Sequence, residues 1–230
     1  MAFASLSRIA FDVAPFRLSG IAYGALLNQR DALAALGAGV SQAPYLAPPS
    51  APVLFIKPRN TLALSGDCVK IPAAEAEVEV GASVGLVIGR PACNVAQDDA
   101  LDYVAGYLIV NDVSLPHPNY YRPAVRCKAR DGFCPLGPAV TPRRSIQNPD
   151  ALSLRTFVDG TLVQTSSTST LLRSVTRLLA DVTEFMTLAP GDVLIVGVAA
   201  ARPRVGPGQT VRIEVDQLEP LSNAFISEPA

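Results

Sequence analysis

Residues 152–164, LSLRTFVDGTLVQ, decide the fold class of this chain. Two strand-like runs, residues 152–158 and 162–164, flank the dipeptide Asp159-Gly160. Both residues of this dipeptide tolerate positive φ, which makes it a strong signal for the turn of a β-hairpin. The stretch therefore predicts an antiparallel hairpin in the second half of the chain.

The segments around this hairpin predict further strands and few helices. Apolar residues recur at helical spacing over 171–185, where Ser169 or Thr170 can cap the helix start, and a turn follows at 189–192. Shorter helices are expected over 28–36, ended by Gly37, and over 98–103. Apolar or alternating runs predict strands over residues 53–56, 75–80, 83–88, 107–110, 193–198 and 211–215. With 20 prolines, this pattern predicts an α+β, β-rich fold.

The composition excludes several classes of function. The chain has 230 residues, of which 49% are hydrophobic, so it can bury a sizeable core and is too apolar for disorder. Its 19 basic and 20 acidic residues show no basic excess, which argues against a nucleic-acid partner. The single histidine excludes a zinc site with several histidines within one chain.

Residues 32–56 contain no charged side chain and are long enough to span a bilayer. Four prolines interrupt this stretch, so we interpret it as a helix end and a proline-rich loop, and expect no membrane partner. Residues 1–8 lack the pattern of a signal peptide, which predicts a cytoplasmic protein. The four cysteines are widely spaced and are expected to be free, mostly buried thiols rather than zinc ligands: Cys68, Cys93, Cys127 and Cys134.

One basic cluster stands out in this otherwise neutral chain. It contains Arg122, Arg126, Lys128 and Arg130, and Asp131 follows directly. On an extended segment, Arg126, Lys128 and Arg130 share one face, which suits the carboxylates of a small dianionic substrate. A lysine placed near a carbonyl group can also stabilise an enolate. The alternative is a solvated charged loop paired with Asp131.

Other polar residues have two interpretations each. His117 is either a general base or an exposed loop residue between Pro116 and Pro118. Glu75, Glu77 and Glu79 either offer oxygen ligands to a metal or form the exposed face of an edge strand. The sequence has no phosphate-binding loop, nucleophile elbow or dinucleotide-binding glycine motif.

Several segments in order resemble the fumarylacetoacetate hydrolase superfamily, over about residues 20–225. They are FIKP at 55–58, VGLVIG at 84–89, YVAGY at 103–107, NDVS at 111–114, Lys128-x-x-Asp131, PLGP at 135–138, LAPGD at 188–192 and LSN at 221–223. FIKPRN at 55–60, NDVSLP at 111–116, Tyr121-Arg122-Pro123 and RDGFCP at 130–135 are similar to one branch in particular. That branch holds the isomerase/decarboxylases of 4-hydroxyphenylacetate (homoprotocatechuate) degradation, and the similarity is to their N-terminal half.

The resemblance implies a mixed β-sandwich roll that assembles as a homodimer, or as a heterodimer with a paralogous subunit. One domain over 1–230 is expected, with an N-terminal segment over 1–60 and a β-roll core over 61–225. The implied substrates are unsaturated 2-oxo or 2-hydroxy di- and tricarboxylates from aromatic ring cleavage. The family's metal is Mg²⁺ or Mn²⁺, held by a Glu-x-Glu pair and by the aspartate of Asn-Asp.

This chain departs from the family pattern at the metal site. Gly81 and Ser83 align with the two glutamates, so only Asp112 remains, and we expect no metal to be held by this chain. The family's early histidine aligns with Ala32, its substrate arginine is missing from residues 114–117, and its Gly-Thr-Pro loop is Gly197-Val198-Ala199. Lys128 and Asp131 match the family pattern.

Two hypotheses follow from the resemblance. In the first, the chain is an enzyme in which Lys128 and neighbouring arginines stabilise an enolate and Asp112 or His117 moves the proton. A small anionic substrate would then be bound by residues of the basic segment: Tyr121, Arg122, Arg126, Arg130 and Asp131. In the second, the chain is a catalytically impaired scaffold that pairs with a metal-binding sister subunit.

Overall fold

The computed structural model of this protein describes residues 6–117 and 120–229. Within these ranges the strands, numbered in chain order, are β1 (Ala22–Leu26), β2 (Val53–Lys57), β3 (Leu62–Leu64), β4 (Val69–Ile71), β5 (Val78–Glu79), β6 (Ala82–Ile88), β7 (Val104–Asn111), β8 (Cys134–Leu136), β9 (Thr141–Pro142), β10 (Ser153–Val158), β11 (Thr161–Ser167), β12 (Val193–Ile195), β13 (Arg204–Val205), β14 (Thr210–Val215) and β15 (Leu221–Ser227). The α-helices are α1 (Arg30–Ala34), α2 (Val125–Lys128) and α3 (Val175–Thr183). Short 3₁₀ turns lie at Leu6–Arg8, Gly37–Ser41, Arg59–Thr61, Gln97–Tyr103, Arg143–Ser145, Pro149–Ala151 and Thr168–Thr170.

The strands form two mixed sheets and one small ribbon. The larger sheet has the order β2-β1-β12-β6-β7-β8-β3, with β9 paired to β7. The second sheet has the order β11-β10-β14-β15-β4, and β13 pairs with β5. Parallel pairs (β1 with β12, β3 with β8, β15 with β4) stand among antiparallel ones, so the α+β, β-rich prediction is confirmed. Strands β1 and β2 show that the first sixty residues supply part of the larger sheet.

The centre of the larger sheet is buried on both faces. All seven residues of β6 are buried, and Leu86 packs in one apolar cluster while its neighbour Val87 packs in another. Successive side chains of β7 divide in the same way, with Tyr107 in the first cluster and Leu108 in the second. This explains why β6 has a continuous apolar sequence, whereas strands with one solvated face alternate.

Helix α3 is shorter than the predicted helix over 171–185. Four of its buried residues lie at helical spacing: Val175, Leu178, Leu179 and Val182. Burial of each of these side chains stabilises the fold by roughly 1.5–3 kcal/mol. The predicted caps, Ser169 and Thr170, lie in the preceding 3₁₀ turn, and Ser174 Oγ instead accepts from Arg177 N over 3.2 Å. The helix starts late because the backbone N–H of Leu172 donates to Asn28 O, which holds residues 171–172 against another segment.

Several other predictions differ from the structure in the length or type of the element, or in burial. Of the strand predicted over 75–80, only Val78–Glu79 forms, because Glu75 and Glu77 lie exposed in the preceding loop. The helix predicted over 28–36 is limited to α1, and Gly37 follows it with φ +53°. The 98–103 segment is a 3₁₀ turn rather than an α-helix. The expected mostly buried thiols are wrong for Cys68 and Cys93, which are exposed, although all four cysteines are free.

Side chains from four chain segments meet beside the larger sheet. Lys57 ends β2, Asp112 follows β7, Lys128 ends α2, and Arg202 lies in the loop between β12 and β13. Within residues 6–117 and 120–229, no helix combines the length and apolarity that a membrane crossing requires.

Candidate functional site

Asp112 is the centre of a buried charge cluster. Its side chain is 0% exposed and has three cations around it: Lys57 Nζ at 3.0 Å from Oδ1, Lys128 Nζ at 2.5 Å from Oδ2, and Arg202 Nη2 at 2.7 Å from Oδ2. We call these four residues the Asp112 cluster. Burial by itself raises the pKa of Asp112, but Lys128, Lys57 and Arg202 together hold this pKa well below the ordinary value. The carboxylate is therefore ionised and holds three positive groups in place.

Lys57 is the structural cation of the cluster. Its Nζ donates to the carbonyl oxygens of Val113, Lys128 and Phe133 over 2.6–2.8 Å. An ammonium group has three hydrogens, so these bonds use all of them. Asp112 Oδ1 therefore feels the charge of Lys57 but accepts no hydrogen bond within the described part of the chain.

Lys128 lies on the face of an aromatic ring. Its Nζ is 4.4 Å from the centroid of the Phe55 ring, a cation–π distance. The ring crosses the neighbouring strand at Gly24, where a Cβ would lie 2.1 Å from Phe55 Cζ. Burial, with the charges of Arg202 and Lys57 opposing Asp112, lowers the pKa of Lys128 to about 7. Lys128 can therefore both donate and accept a proton near neutral pH.

Arg202 reaches the cluster from the loop between β12 and β13. Strand β12 is shorter than the predicted 193–198 strand, because the chain turns at Gly197, which has φ +136°. The turn is fixed by Ser83 Oγ, which donates to Gly197 O over 2.6 Å, and by Asn28 Nδ2, which donates to Val196 O over 2.7 Å. The loop then places the Arg202 guanidinium against Asp112 and Ser114 Oγ.

His117 lies near this cluster. Its Nδ1 is 2.9 Å from Leu115 O, and because a carbonyl only accepts, Nδ1 carries the hydrogen in the neutral ring. Nε2 is buried and has no hydrogen-bond partner among residues 6–117 and 120–229. Burial lowers the pKa of His117, and the charges of Lys128 and Arg202 lower it further. His117 is therefore neutral at pH 7, with a lone pair available on Nε2. Pro118, the second proline beside it, lies outside the described residues.

Two cavities adjoin the cluster and share Leu26 and Tyr120 as lining residues. The arginine cavity, of about 450 Å³, is lined on its polar side by Arg202, Arg204 and Glu79. The lysine cavity, of about 250 Å³, is lined by Lys128, Phe55, Tyr121 and Arg122 among others. The two cations that pair with Asp112 Oδ2 thus line different cavities: Arg202 lines the arginine cavity and Lys128 lines the lysine cavity.

The structure brings together only some of the residues predicted from sequence. Tyr121 and Arg122 line the lysine cavity with Lys128. The proposed shared face of Arg126, Lys128 and Arg130 is wrong, because residues 125–128 form helix α2 and turn Arg126 to solvent while Lys128 is buried.

Arg130 and Asp131 lie at a third cavity. It has a volume of about 240 Å³, is also lined by Lys70 and Glu228, and shares no lining residue with the arginine or lysine cavity. Asp131 accepts a hydrogen bond from Asn60 Nδ2 over 2.7 Å. Arg126 is solvent-exposed, as that alternative predicted, but it lies on helix α2 rather than in a loop, whereas Lys128 belongs to the Asp112 cluster.

Sequence reasoning missed two cluster residues, Lys57 and Arg202. Lys57 stands in the FIKP segment, so its motif was visible although its role was not. Arg202 lies 90 positions from Asp112, and no motif near it predicts a contact. Only the pairing of β12 with β6 and of β6 with β7 brings these segments together.

This fold and this site define a member of the fumarylacetoacetate hydrolase family. The model of the family described as "Fumarylacetoacetate (FAA) hydrolase C-terminal" matches residues 22–226, and the chain belongs to that family. The expected mixed β-roll of this family is therefore confirmed.

Two named proteins, one compared by sequence and one by structure, are similar to most of this chain. Over 211 residues the chain is 40% identical to the 4-hydroxyphenylacetate degradation bifunctional isomerase/decarboxylase of Escherichia coli, covering 92% of this chain and 48% of that protein. It thus spans about half the length of that relative. The structure of 5-carboxymethyl-2-hydroxymuconate delta-isomerase from Mycobacterium smegmatis matches with a TM-score of 0.79 at 30% identity, covering 93% of this chain and 81% of the other.

A further structural match contains a metal. Maleylpyruvate hydrolase from Sphingobium sp. SYK-6, in complex with manganese(II) and pyruvate, matches with a TM-score of 0.74 at 26% identity, covering 91% of this chain and 71% of the other. In the part of the present chain that the structure describes, no three His, Cys, Asp or Glu side chains are grouped for a metal ion.

The residues of this chain do not fit the metal that the family implies. A Cβ on Gly81 would lie 2.7 Å from Val198 Cγ1, so Val198 fills the space that a glutamate at this position needs. The hydroxyl of Ser83 is bonded to Gly197 O, and Asp112 is bound by three cations. Glu75 and Glu77 lie exposed in a loop, so they do not replace the missing ligands.

Proposed function

We propose that this chain is a subunit of an isomerase/decarboxylase that acts on unsaturated 2-oxo or 2-hydroxy di- and tricarboxylates. The observation that carries the proposal is the Asp112 cluster: two buried lysines and one mostly buried arginine around one carboxylate, with Lys128 and Arg202 each lining a cavity. A buried site with excess positive charge is suited to an anionic substrate. The named relatives support a place in the degradation of 4-hydroxyphenylacetate, or homoprotocatechuate. A cytoplasmic location is part of the proposal.

Both reactions of this class pass through an enolate. In a 1,3-proton shift, a base removes a proton from one carbon and the proton returns to the carbon two positions away. In a decarboxylation, the carbon that loses CO₂ is conjugated with the carbonyl group, so the electrons of the breaking C–C bond move onto that carbonyl, CO₂ leaves, and a proton is then added to carbon. In both cases, negative charge develops on the carbonyl oxygen and needs a positive group beside it.

The geometry supports distinct roles for the three candidate catalytic residues. Lys128 stabilises the enolate oxygen, since it lines the lysine cavity and is held by Asp112 and by the Phe55 ring. For His117 the support is chemical rather than geometric: it lines neither cavity, and its neutral Nε2, which has no partner among the described residues, is the proposed proton carrier. Asp112 positions the cations, because its low pKa makes it a weak base. Tyr121 and Arg122 bind the substrate in the lysine cavity, whereas Arg126, Arg130 and Asp131 lie away from it.

The test is turnover of an unsaturated 2-hydroxy dicarboxylate by the purified, EDTA-treated chain. The decrease in the ultraviolet absorbance of the substrate measures the rate. Lys128→Ala should lower the rate on the order of a hundredfold or more, because it removes the charge beside the enolate. His117→Gln should lower the rate by roughly 10²–10⁴-fold. Lys70→Ala, the matched change of an exposed lysine on β4, should leave the rate unchanged. An unchanged rate in Lys128→Ala refutes the role of this lysine.

A second candidate function is a scaffold that pairs with a metal-binding sister subunit. It is favoured by Val198, which fills the space beside Gly81. Pairing, either with a second copy or with a paralogous subunit, is supported by apolar side chains that line the lysine cavity yet are more than half exposed: Ile56, Tyr121 and Val125. The test compares turnover by the chain alone with turnover by the chain plus the sister subunit, at varied Mg²⁺. Turnover by the isolated chain at rates typical of enzymes excludes a purely structural role.

A further inference from the structure

The guanidinium of Arg202 lies between the buried Asp112 cluster and the arginine cavity. Nη2 donates to Asp112 Oδ2 over 2.7 Å, and Nη1 donates to Ser114 Oγ over 2.8 Å. Asp112 and Ser114 are fully buried, and the Arg202 side chain is 11% exposed. A guanidinium has five N–H donors, and these are its two hydrogen bonds within residues 6–117 and 120–229. Two buried acceptors therefore fix the plane of the group and leave donors for a ligand.

The loop that carries Arg202 is held from three sides. Ala200 N donates to Asp31 Oδ2 over 3.0 Å, Gln164 Nε2 donates to Ala200 O over 2.7 Å, and Val80 N donates to Pro203 O over 3.0 Å. Ala201 has φ +50°, a left-handed conformation that is unfavourable for a residue with a Cβ. The surrounding hydrogen bonds stabilise this conformation and direct the next residue, Arg202, towards Asp112.

The charges around Arg202 are not balanced by the protein. Asp112 carries one negative charge against the positive charges of Lys57 and Arg202, and Lys128 adds a third positive charge when it is protonated. Lys57 is occupied by three backbone carbonyls, so Lys128 and Arg202 are the cations that meet the cavities. On the arginine cavity, Glu79 lies beside Arg204, its register partner on β13, and offsets the charge of that residue. An anionic ligand would neutralise the remaining excess.

We propose that Arg202 binds a carboxylate of the substrate, so that this chain holds its ligand with a fixed guanidinium rather than with a metal ion. The proposal rests on the proposed function for the chemical class of ligand, a 2-oxo or 2-hydroxy carboxylate. The planar fork of arginine pairs with both oxygens of a carboxylate. Arg202 and Lys128 contact the same oxygen, Asp112 Oδ2, but line different cavities that share Leu26 and Tyr120. The proposed ligand therefore extends from one cavity to the other, with its carboxylate on Arg202 and its carbonyl oxygen on Lys128.

The experiment measures binding of oxalate, a planar dianion that resembles a 2-oxo acid, to EDTA-treated protein by titration calorimetry. The wild-type chain should bind oxalate without added metal, and Arg202→Met should weaken binding by roughly tenfold to a hundredfold, as expected for the loss of a charged hydrogen-bonding pair. Arg202→Lys should give an intermediate loss, because the charge is kept and the fork is lost. Arg177→Met, the matched change of an exposed arginine on α3 that pairs with Asp181, should leave binding unchanged.

Three results would overturn the proposal: no binding of oxalate to the wild-type chain, equal binding by Arg202→Met, or binding that appears only with Mg²⁺ or Mn²⁺. Circular dichroism shows whether Arg202→Met is folded, and if it is not, Arg202→Lys decides, since wild-type affinity in that variant refutes the bidentate contact. The proposed function is tested separately by turnover. Binding that depends on Arg202 but is not accompanied by turnover supports the binding role of Arg202 and refutes the proposed enzymatic function. Turnover that is unchanged in Arg202→Met supports the enzymatic function and refutes the binding role.

Discussion

The stability of this protein should depend on pH through Lys128. The unfolded chain keeps a lysine protonated up to about pH 10. In the folded chain, burial lowers the pKa of Lys128 to about 7. Between these two pKa values the unfolded state binds more protons than the folded state, so the free energy of unfolding rises with pH. Stability linked to Lys128 is therefore lowest below about pH 7 and increases through the mildly basic range.

The size of the effect follows from the shift. Between about pH 7 and about pH 8.5, the release of one proton from the folded state raises the free energy of unfolding by roughly 1.5 kcal/mol. Above this range, Cys134 and Tyr107 change the stability in the opposite direction. Burial raises their pKa to about 12, so the unfolded state loses these protons first and the free energy of unfolding falls as the pH rises. His117 contributes little here, since burial lowers its pKa from an ordinary value that is already below 7. The window between about pH 7 and 8.5 thus isolates Lys128.

The assay is urea denaturation of the wild-type chain and of Lys128→Met at several values of pH across this window. Methionine keeps most of the volume of the lysine stem and removes the titrating amine, while Lys57 and Arg202 still pair with Asp112. The wild-type free energy of unfolding should rise relative to that of the variant by roughly 1.5 kcal/mol, with unchanged m-values. If the two curves run parallel, Lys128 does not titrate in this range and the assignment of a dual proton donor and acceptor is refuted.

Three substitutions test other parts of the site by urea denaturation. Asp112→Asn should destabilise the fold by about 3–5 kcal/mol, because three buried cations lose their counter-charge, while exposed Asp12→Asn should change little; equal effects would contradict the cluster. Gly24→Ala should cost about 1–3 kcal/mol, because its Cβ would lie 2.1 Å from Phe55 Cζ, whereas Gly39→Ala, which has open space, should be tolerated; a neutral Gly24→Ala would show that the ring is not held there. Asn28→Ala should cost about 1–3 kcal/mol, since it leaves Arg173 N and Val196 O without their partner, and a smaller loss would mean that water replaces the amide.

The fold was predictable wherever a local pattern decides the backbone. The hairpin of β10 and β11 formed around Asp159-Gly160 because the turn residues themselves adopt positive φ, at +48° and +80°. Strand β6 was visible as a continuous apolar run, because both of its faces are buried. The predictions failed where distant segments decide. The helix start moved to Val175 because Asn28 holds residues 171–172, which no local signal reveals.

The candidate site shows the same division. Asp112 and Lys128 were predicted because they stand in recognisable segments, and the structure places them 2.5 Å apart. The extended model of the basic segment failed because residues 125–128 form a helical turn, which buries Lys128 and exposes Arg126. Lys57 and Arg202 were missed because a lysine or arginine is expected at the surface. Only the assembled sheet shows that Lys57 is fully buried and Arg202 mostly buried beside a carboxylate.

The way the site departs from its family argues for conversion rather than decay. Simple loss of two metal-binding glutamates would leave a void, which is destabilising. Here Val198 fills the space beside Gly81, Ser83 is bonded to Gly197, and Arg202 supplies positive charge to Asp112. The two missing glutamates thus have specific replacements, and under the proposal for Arg202 these replacements turn a site for a cation into a site for an anion. Because a carboxylate substrate needs positive charge whether a metal or a side chain supplies it, the proposed conversion would preserve the class of ligand while removing the need for the ion.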